Sequence, residues 1–370
     1  MSSTVRVGVL GAGWGAGLHL EGFHRTEGAE LVAISSRTLD RARDRASQYG
    51  IPLVTDSLDE LIDAVDVVSV ATPPGAHLEA VRRAVAAGRH VLCDKPLAAD
   101  IGHARSIVDA VTASGVRHAS GFIWRDDPGL VRVRELVAQD AIGALVEIQS
   151  TCPLGVPQLP ATWMYQADEG GGALAQHGSH VIDRARWLVG GEITRVRGRL
   201  AHDLADAAAP RRFHDITEAF AWARDNDGAA FTGERVPVTA DTGYEFSADF
   251  DNGVRARFWE AWHLPGPVDD EVTLFGERGA LVWRGPAGVW LHRHGEDPVR
   301  VEVPGTAASG ANTPREVGLR KWAGLATSFV ESITSGVHNG HPTILDAWAV
   351  AAVSDAVHRS HRSGGWEQVA

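Results

Sequence analysis

Val5-Arg6-Val7-Gly8-Val9-Leu10-Gly11-Ala12-Gly13-Trp14-Gly15-Ala16-Gly17 is the stretch that decides the fold. The apolar run Val5 to Leu10 reads as a buried strand, and a helical pattern follows from Gly17 to Thr26. Between them Gly11, Gly13 and Ala16 fit the G-x-G-x-x-G/A spacing, with Trp14 and Gly15 inside it. Gly11 permits the tight turn, Gly13 lets main-chain N–H groups approach a pyrophosphate, and small Ala16 lets helix and strand pack closely. The helix N-terminus favours an anion at the same place. A dinucleotide is the ligand this turn predicts.

Further strands are expected at Leu31–Ile34, Val65–Ala71 and His90–Cys93, separated by helices at Asp40–Tyr49, Leu58–Ala64 and His77–Ala87. Parallel neighbours need long connections, so this alternation predicts a doubly wound parallel sheet. A helix over Ile101–Ser114 and a strand over Arg117–Phe122 complete a Rossmann domain, assigned to residues 1–123. After Trp124 the apolar runs are more widely spaced and often alternate: Ala144–Ser150, Thr194–Leu200, Tyr244–Phe250, Val254–Trp262, Val272–Phe275 and Ala280–Trp283. Asp251-Asn252-Gly253 signals a hairpin between two of them. Residues 124–370 are therefore expected to form a second α/β domain around a large, mainly antiparallel open sheet. Helices over Leu319–Thr334 and Thr343–Ser360 close the chain, with room for a C-terminal helix to pack back on the first domain. The stretch Ala205–Ala240 mixes helical and loop signals and yields no assignment.

The chain's 370 residues exceed what one hydrophobic core usually supports. Its 35 Lys and Arg against 47 Asp and Glu give a formal charge of -12, which repels phosphate backbones and anionic membranes and argues against a nucleic-acid partner. No apolar stretch approaches the ~20 residues of a membrane helix. The opening MSSTVRVGVL leaves no room for a secretory leader, and Cys93 and Cys152 form no close pair, so a cytoplasmic location is expected.

The end of the second strand bears on which nicotinamide cofactor binds. It reads Ser35-Ser36-Arg37, with no carboxylate before Asp40 to hold a free ribose 2′-hydroxyl. Two hydroxyls and a guanidinium suit a 2′-phosphate, so NADP is expected over NAD. Arg37 as a solvated residue, or stacked on adenine, leaves NAD open.

Three further segments stand out: Thr72-Pro73-Pro74-Gly75-Ala76-His77, Ala87-Gly88-Arg89-His90-Val91-Leu92-Cys93-Asp94-Lys95-Pro96, and Gly170-Gly171-Gly172 with the later Gly178-Ser179-His180. With the glycine turn they make the chain resemble the Gfo/Idh/MocA oxidoreductases over nearly its whole length. The resemblance implies NAD(P)-dependent hydride transfer at a secondary hydroxyl of a sugar, sugar derivative or cyclitol. It also implies a homodimer or homotetramer formed through the C-terminal sheet. Asp94-Lys95-Pro96 stands where the family usually has Glu-Lys-Pro, which places Lys95 beside the nicotinamide and the substrate hydroxyl. A cation there stabilises a developing alkoxide. His180 matches the catalytic histidine, an imidazole suited to exchange the hydroxyl proton. Thr72, Pro73, His77, Asp94, Lys95 and Pro96 join Gly11, Gly13, Trp14, Gly15, Ala16, Ser35, Ser36 and Arg37 as expected cofactor-site residues.

One position departs from the family pattern. Four residues before His180 the family usually has Asp, and here stands Gln176, which carries no charge but can hold a substrate hydroxyl or the lysine by hydrogen bonds. Asp183 or a substrate group is expected to supply the missing charge, unless the reaction differs. The spacing of Gln176, His180, Asp183 and Trp187 predicts one face of an α-helix. His177 is expected to face the substrate or the neighbouring helix, and no metal is expected. Trp124, Arg125, Trp163 and Tyr165 are candidates for lining a sugar pocket, with simple packing as the alternative. Two other functions fit the same residues: a glycoside-cleaving enzyme that oxidises its sugar transiently, and a non-catalytic cofactor-binding regulator.

Overall fold

The computed structural model describes residues 4–155, 157–211, 213, 216–264, 270–304 and 314–370. Its first sheet contains β1 (Val5–Leu10), β2 (Ala29–Ser35), β3 (Leu53–Thr55), β4 (Val67–Val70), β5 (His90–Cys93) and β6 (His118–Ser120). All pairs are parallel, in the order β3-β2-β1-β4-β5-β6. The expected doubly wound sheet is present. The strand at Leu53–Thr55 was not legible in advance, because three residues carry no usable period.

The crossover helices are α1 (Trp14–His24), α2 (Leu39–Tyr49), α3 (Leu58–Ala64), α4 (His77–Ala86) and α5 (Ile101–Ser114). Leu20 and Phe23 of α1 pack with Ala42 and Ala46 of α2 on one face of the sheet. Leu61, Val81 and Ile107 of α3, α4 and α5 cover the other. Ser57 caps α3 by accepting from the N–H of Glu60, and Asp100 caps α5 by accepting from that of His103. Each such cap contributes about 1 kcal/mol.

The second half begins with α6 (Pro128–Ala138), unforeseen in the sequence although Pro at its start and Asp127 as its cap are both start signals. Then come β7 (Leu145–Pro153), α7 (Ser179–Val189), β8 (Ile193–Ala201), β9 (Asp206–Ala208), α8 (Ile216–Asp225) and β10 (Arg235–Pro237). They are followed by β11 (Gly243–Phe250), β12 (Arg255–Ala261), β13 (Glu271–Gly276), β14 (Gly279–Arg284), β15 (Gly288–Arg293) and β16 (Val299–Val301). The chain closes with α9 (Pro314–Ser335), α10 (Ile344–Ser363) and β17 (Glu367–Gln368). Nine strands form one sheet in the order β16-β15-β14-β13-β7-β12-β11-β8-β17, antiparallel except where β7 meets β12. The predicted hairpin turn is there, with Gly253 at φ +85° and its N–H bonded to the oxygen of Phe250 at 3.1 Å.

Strand alternation decides which side chains meet the helices. Tyr244, Phe246, Ala248 and Phe250 of β11 point inward, as do Val254, Ala256, Phe258 and Glu260 along β12. A carboxylate thus occupies a position that the pattern reserves for an apolar residue. α10 lies along β8 and α5, while α9 lies against α1, where Trp322, Leu325 and Phe329 join the core of Leu20 and Phe23. Among the described residues no helix is long and apolar enough to cross a membrane.

Candidate active site

The glycine turn has the shape its composition predicts. Gly11 adopts φ +118°, and a Cβ there would lie 2.5 Å from the carbonyl oxygen of Ala71, so only glycine lets β1 and β4 approach this closely. Gly13 is the N-cap of α1 and offers no side-chain cap, and the first helical turn carries no acidic residue. The N–H groups at this helix start are left for another acceptor. Ala16 is fully buried, Trp14 is exposed, and a Cβ on Gly15 would stand 3.5 Å from Asp94 Oδ2. Nearby, Thr72 Oγ1 is a buried polar atom with no partner among the described residues. An uncapped helix start and an orphaned hydroxyl fit a dinucleotide phosphate with its ribose.

At the end of β2, Ser35 is buried and its carbonyl accepts from the N–H of Gly11 at 2.8 Å. Ser36 Oγ accepts from the Thr38 N–H at 3.1 Å, and Arg37 is exposed. Pro73 leads into the short turn Pro74–Ala76. His77 corrects an expectation. Its ring is fully buried, with Nε2 2.8 Å from the oxygen of Thr72 and Nδ1 3.1 Å from that of Leu97. Both ring nitrogens are turned to the main chain, so His77 shapes the segments that flank the cofactor cleft instead of touching a ligand.

Asp94, Lys95 and Pro96 follow β5, and the Lys95–Pro96 peptide is cis. Burial pushes the Asp94 carboxyl up, but the His19 ring and the neighbouring lysine outweigh it and hold it below its usual range. His19 lies 3.4 Å from Asp94 Oδ2, binds Ser69 Oγ at 2.7 Å and packs on Trp322 at 4.1 Å between ring centres. The Lys95 ammonium donates to the main-chain oxygen of Gln176 at 2.9 Å. Burial lowers the Lys95 pKa, and Asp94 and Glu260 oppose it.

The segment that carries Gln176 is not α-helical. Leu174–Gly178 is a π-helical turn that runs into α7 at Ser179. The π-turn interrupts the continuous α-helix that the spacing of Gln176, His180, Asp183 and Trp187 predicts, so only the last three lie on α7. The Gln176 amide donates to the oxygen of Gly170 at 3.0 Å, so the lysine is held by the main chain and not by the side chain. π-turns of this kind recur at functional sites.

His180 lies edge-on to Phe122 at 5.9 Å and Trp124 at 6.5 Å, and its buried Nδ1 has no hydrogen-bond partner among the described residues. Burial, with Lys95, His177, Arg184 and Lys321 adding to it, drives its pKa well below the usual value. The ring is therefore neutral near pH 7 and able to accept a proton. His177 is 6.4 Å away between ring centres and donates from Nδ1 to Glu260 Oε2 at 2.9 Å. Trp124 forms a wall between these histidines and two cations, with Lys321 3.7 Å and Arg184 5.4 Å from its ring centre.

Three other expected site residues are placed differently. Arg125 donates to both oxygens of Asp183, at 3.0 and 2.6 Å, and to Asp346 at 2.7 Å. Asp183 is fully buried in that pair, so it does not supply the charge that Gln176 lacks. Tyr165 is also buried, its hydroxyl accepting from the Leu159 N–H at 3.1 Å, and does not line an open pocket. Trp163 remains half-buried beside the glycines.

Glu260, Lys321 and Arg184 were missed in the sequence. Glu260 had one available signal, its inward register after Val254, Ala256 and Phe258. Cys152, His177 and Asp270 bring potential ligand atoms within 4.8 Å of one another. Asp270 is already paired with both terminal nitrogens of Arg184, at 2.7 and 2.6 Å, and that guanidinium opposes a metal ion there.

Comparison with known proteins identifies the family of the chain. Residues 5–122 match the oxidoreductase family with an NAD-binding Rossmann fold, and residues 130–282 match the GFO/IDH/MocA C-terminal domain. An uncharacterized oxidoreductase of Rhizobium meliloti is 34% identical over 93% of this chain and 92% of its own length. An inositol 2-dehydrogenase of Rubrobacter xylanophilus is 27% identical over 100% of this chain and 94% of its own. Among solved structures, levoglucosan dehydrogenase in complex with NADH and L-sorbose superposes with a TM-score of 0.84 at 22% identity, covering 99% of both chains. The chain belongs to the Gfo/Idh/MocA family of oxidoreductases.

Proposed function

We propose that the protein oxidises or reduces a secondary hydroxyl of a sugar, sugar derivative or cyclitol, with Lys95 and His180 at the reacting centre. The observation that carries this reading is the Lys95 ammonium, anchored 2.9 Å from the oxygen of Gln176 in a region that also holds a neutral, unpartnered His180. A nicotinamide in the cleft above the glycine turn supplies the hydride acceptor or donor. Lys95 binds the substrate oxygen and offsets its negative charge as the proton leaves. His180 takes that proton during oxidation and returns it during reduction. Phe122 and Trp124 pack edge-on against His180 and shield its ring. Relatives named for inositol and for levoglucosan support a hydroxylated ring as substrate.

NADP is the preferred cofactor in this reading, supported by Ser36 and exposed Arg37 at the end of β2. The outward face of the nine-stranded sheet, where Arg197, Arg199, Glu245, Arg257 and Trp259 line a broad shallow surface, is the face on which two copies pair. Light scattering on a charge-reversed variant of that face tests the pairing. Absorbance of reduced nicotinamide, followed with a panel of cyclitols and free sugars, tests the activity. Net cofactor reduction supports it. Glycoside cleavage without net cofactor change would replace it with the redox-assisted glycosidase.

A further inference from the structure

Of four cations around the site, Arg184, Arg125, Lys321 and Lys95, three are already neutralised. Arg184 is paired with Asp270 and Arg125 with Asp183, while Lys321 is paired with Asp127 at 2.7 Å. Lys95 alone makes no ion pair among the described residues. Its ammonium meets a main-chain oxygen, and the carboxylate of Asp94 is engaged by His19 and by the Lys95 N–H. At the position where the family resemblance calls for an acid stands Gln176.

Glu260 is buried on the inward register of β12, only 1% exposed, and donors hold both of its oxygens. Trp262 Nε1 binds Oε1 at 2.8 Å, while the Tyr244 hydroxyl and His177 Nδ1 bind Oε2 at 2.8 and 2.9 Å. A carboxylate in such a place is costly unless its charge is used. The hydrogen bond from Nδ1 leaves Nε2 of His177 without the proton, on a side chain that is 20% exposed. His177 also faces His180, Trp124, Cys152 and Asp270, while Tyr244 and Asp241 face Glu260 from β11 and the segment before it. Asp270 is spent on Arg184, and Asp241 accepts from the N–H of Leu174 at 2.9 Å. Glu260 is the carboxylate in direct contact with His177, and its charge reaches Lys95 together with that of Asp94.

We propose that Glu260 is the positioning carboxylate of this site: from β12 it holds His177 as a second proton acceptor beside His180. The inference rests on the hydride-transfer reading above. In oxidation the substrate C–H bond breaks with its electron pair going to the nicotinamide, and the O–H bond breaks with its proton going to His180. That proton is passed to His177 Nε2, where Glu260 stabilises the imidazolium before release to water. Reduction runs the same path backwards.

Glu260→Gln keeps the volume and an acceptor for the neighbouring donors but removes the charge. Nitrogen NMR of the His177 ring tests the arrangement without substrate. In the parent protein we expect the Nδ1–H tautomer and a titration that moves to lower pH in Glu260→Gln. Glu260→Asp is expected to preserve it. With an active substrate, Glu260→Gln should lower kcat at least tenfold while changing KM less than threefold, and both limbs of the kcat profile should move to lower pH. A merely structural glutamate would lower the melting temperature and leave the ring titration and the pH limbs in place, and that result overturns the proposal. If no sugar or cyclitol is turned over by the parent protein, the hydride-transfer reading falls, while the NMR result still decides whether Glu260 governs His177.

Discussion

Lys95 is held by the main-chain oxygen of Gln176 at 2.9 Å, and the side chain of the same glutamine turns away to the oxygen of Gly170 at 3.0 Å. The residue type at 176 is thus uncoupled from the anchoring of the lysine. Gln176→Ala should leave kcat within about fivefold of the parent, and cost roughly 1–2 kcal/mol of stability through the buried Gly170 oxygen left unpaired. Turnover and thermal melting measured on one preparation check this, and a hundredfold loss of kcat would refute the main-chain anchor.

Lys95→Ala should lower kcat/KM by about 10²–10³, the usual effect of deleting a group that stabilises a developing oxyanion. Cofactor affinity should change little, because the glycine turn and the start of α1 are built without Lys95. Fluorescence titration with reduced cofactor separates the two effects. Undiminished turnover would remove Lys95 from the reacting centre.

Arg37→Glu should reverse the cofactor preference. A carboxylate at the end of β2 repels a 2′-phosphate and can accept from a free ribose hydroxyl. The ratio of kcat/KM for NADP to that for NAD is expected to fall at least about tenfold, equivalent to about 1.4 kcal/mol. An unchanged ratio would mean that Arg37 does not contact the cofactor.

Asp241 sets part of the pH dependence of stability. Burial pushes its carboxyl up to about 7, above the unfolded value, even though the Leu174 N–H pulls it down. Its stabilising contribution is therefore complete below about pH 4 and is lost as pH rises through about 7. Asp241→Asn should remove roughly 2 kcal/mol of the parent's loss between pH 5 and pH 8. Denaturant melts at the two pH values provide the comparison, and identical losses in both proteins would contradict the assignment.

The glycine turn and the lysine motif were legible because main-chain geometry forces small residues to particular positions, and that requirement is written locally. The parallel sheet followed from the same local rhythm. Glu260 was not legible in this way. Its role depends on β12 pairing in parallel with β7 and bringing Glu260 to His177 in the π-turn, a long-range arrangement that no spacing records. Arg125 and Asp183 were both expected to serve the ligand, because a sequence displays which residues are charged but not which are matched. The π-turn hid for a related reason: Gln176 and His180 stand at a good α-helical interval, and the extra residue in the turn becomes visible only in the hydrogen-bonding pattern.

The packing of α9 on α1 reaches beyond the site. Trp322, Leu325 and Phe329 complete a core whose other members, Leu20 and Phe23, leave the ribosome some three hundred residues earlier. Until α9 has been translated, the nascent cofactor domain displays an uncovered apolar flank. A message cut short before α9 would yield a chain that contains every glycine of the nucleotide turn yet has no finished wall behind it. The nucleotide-binding half therefore reaches its finished core only when a segment from far down the chain folds back onto it.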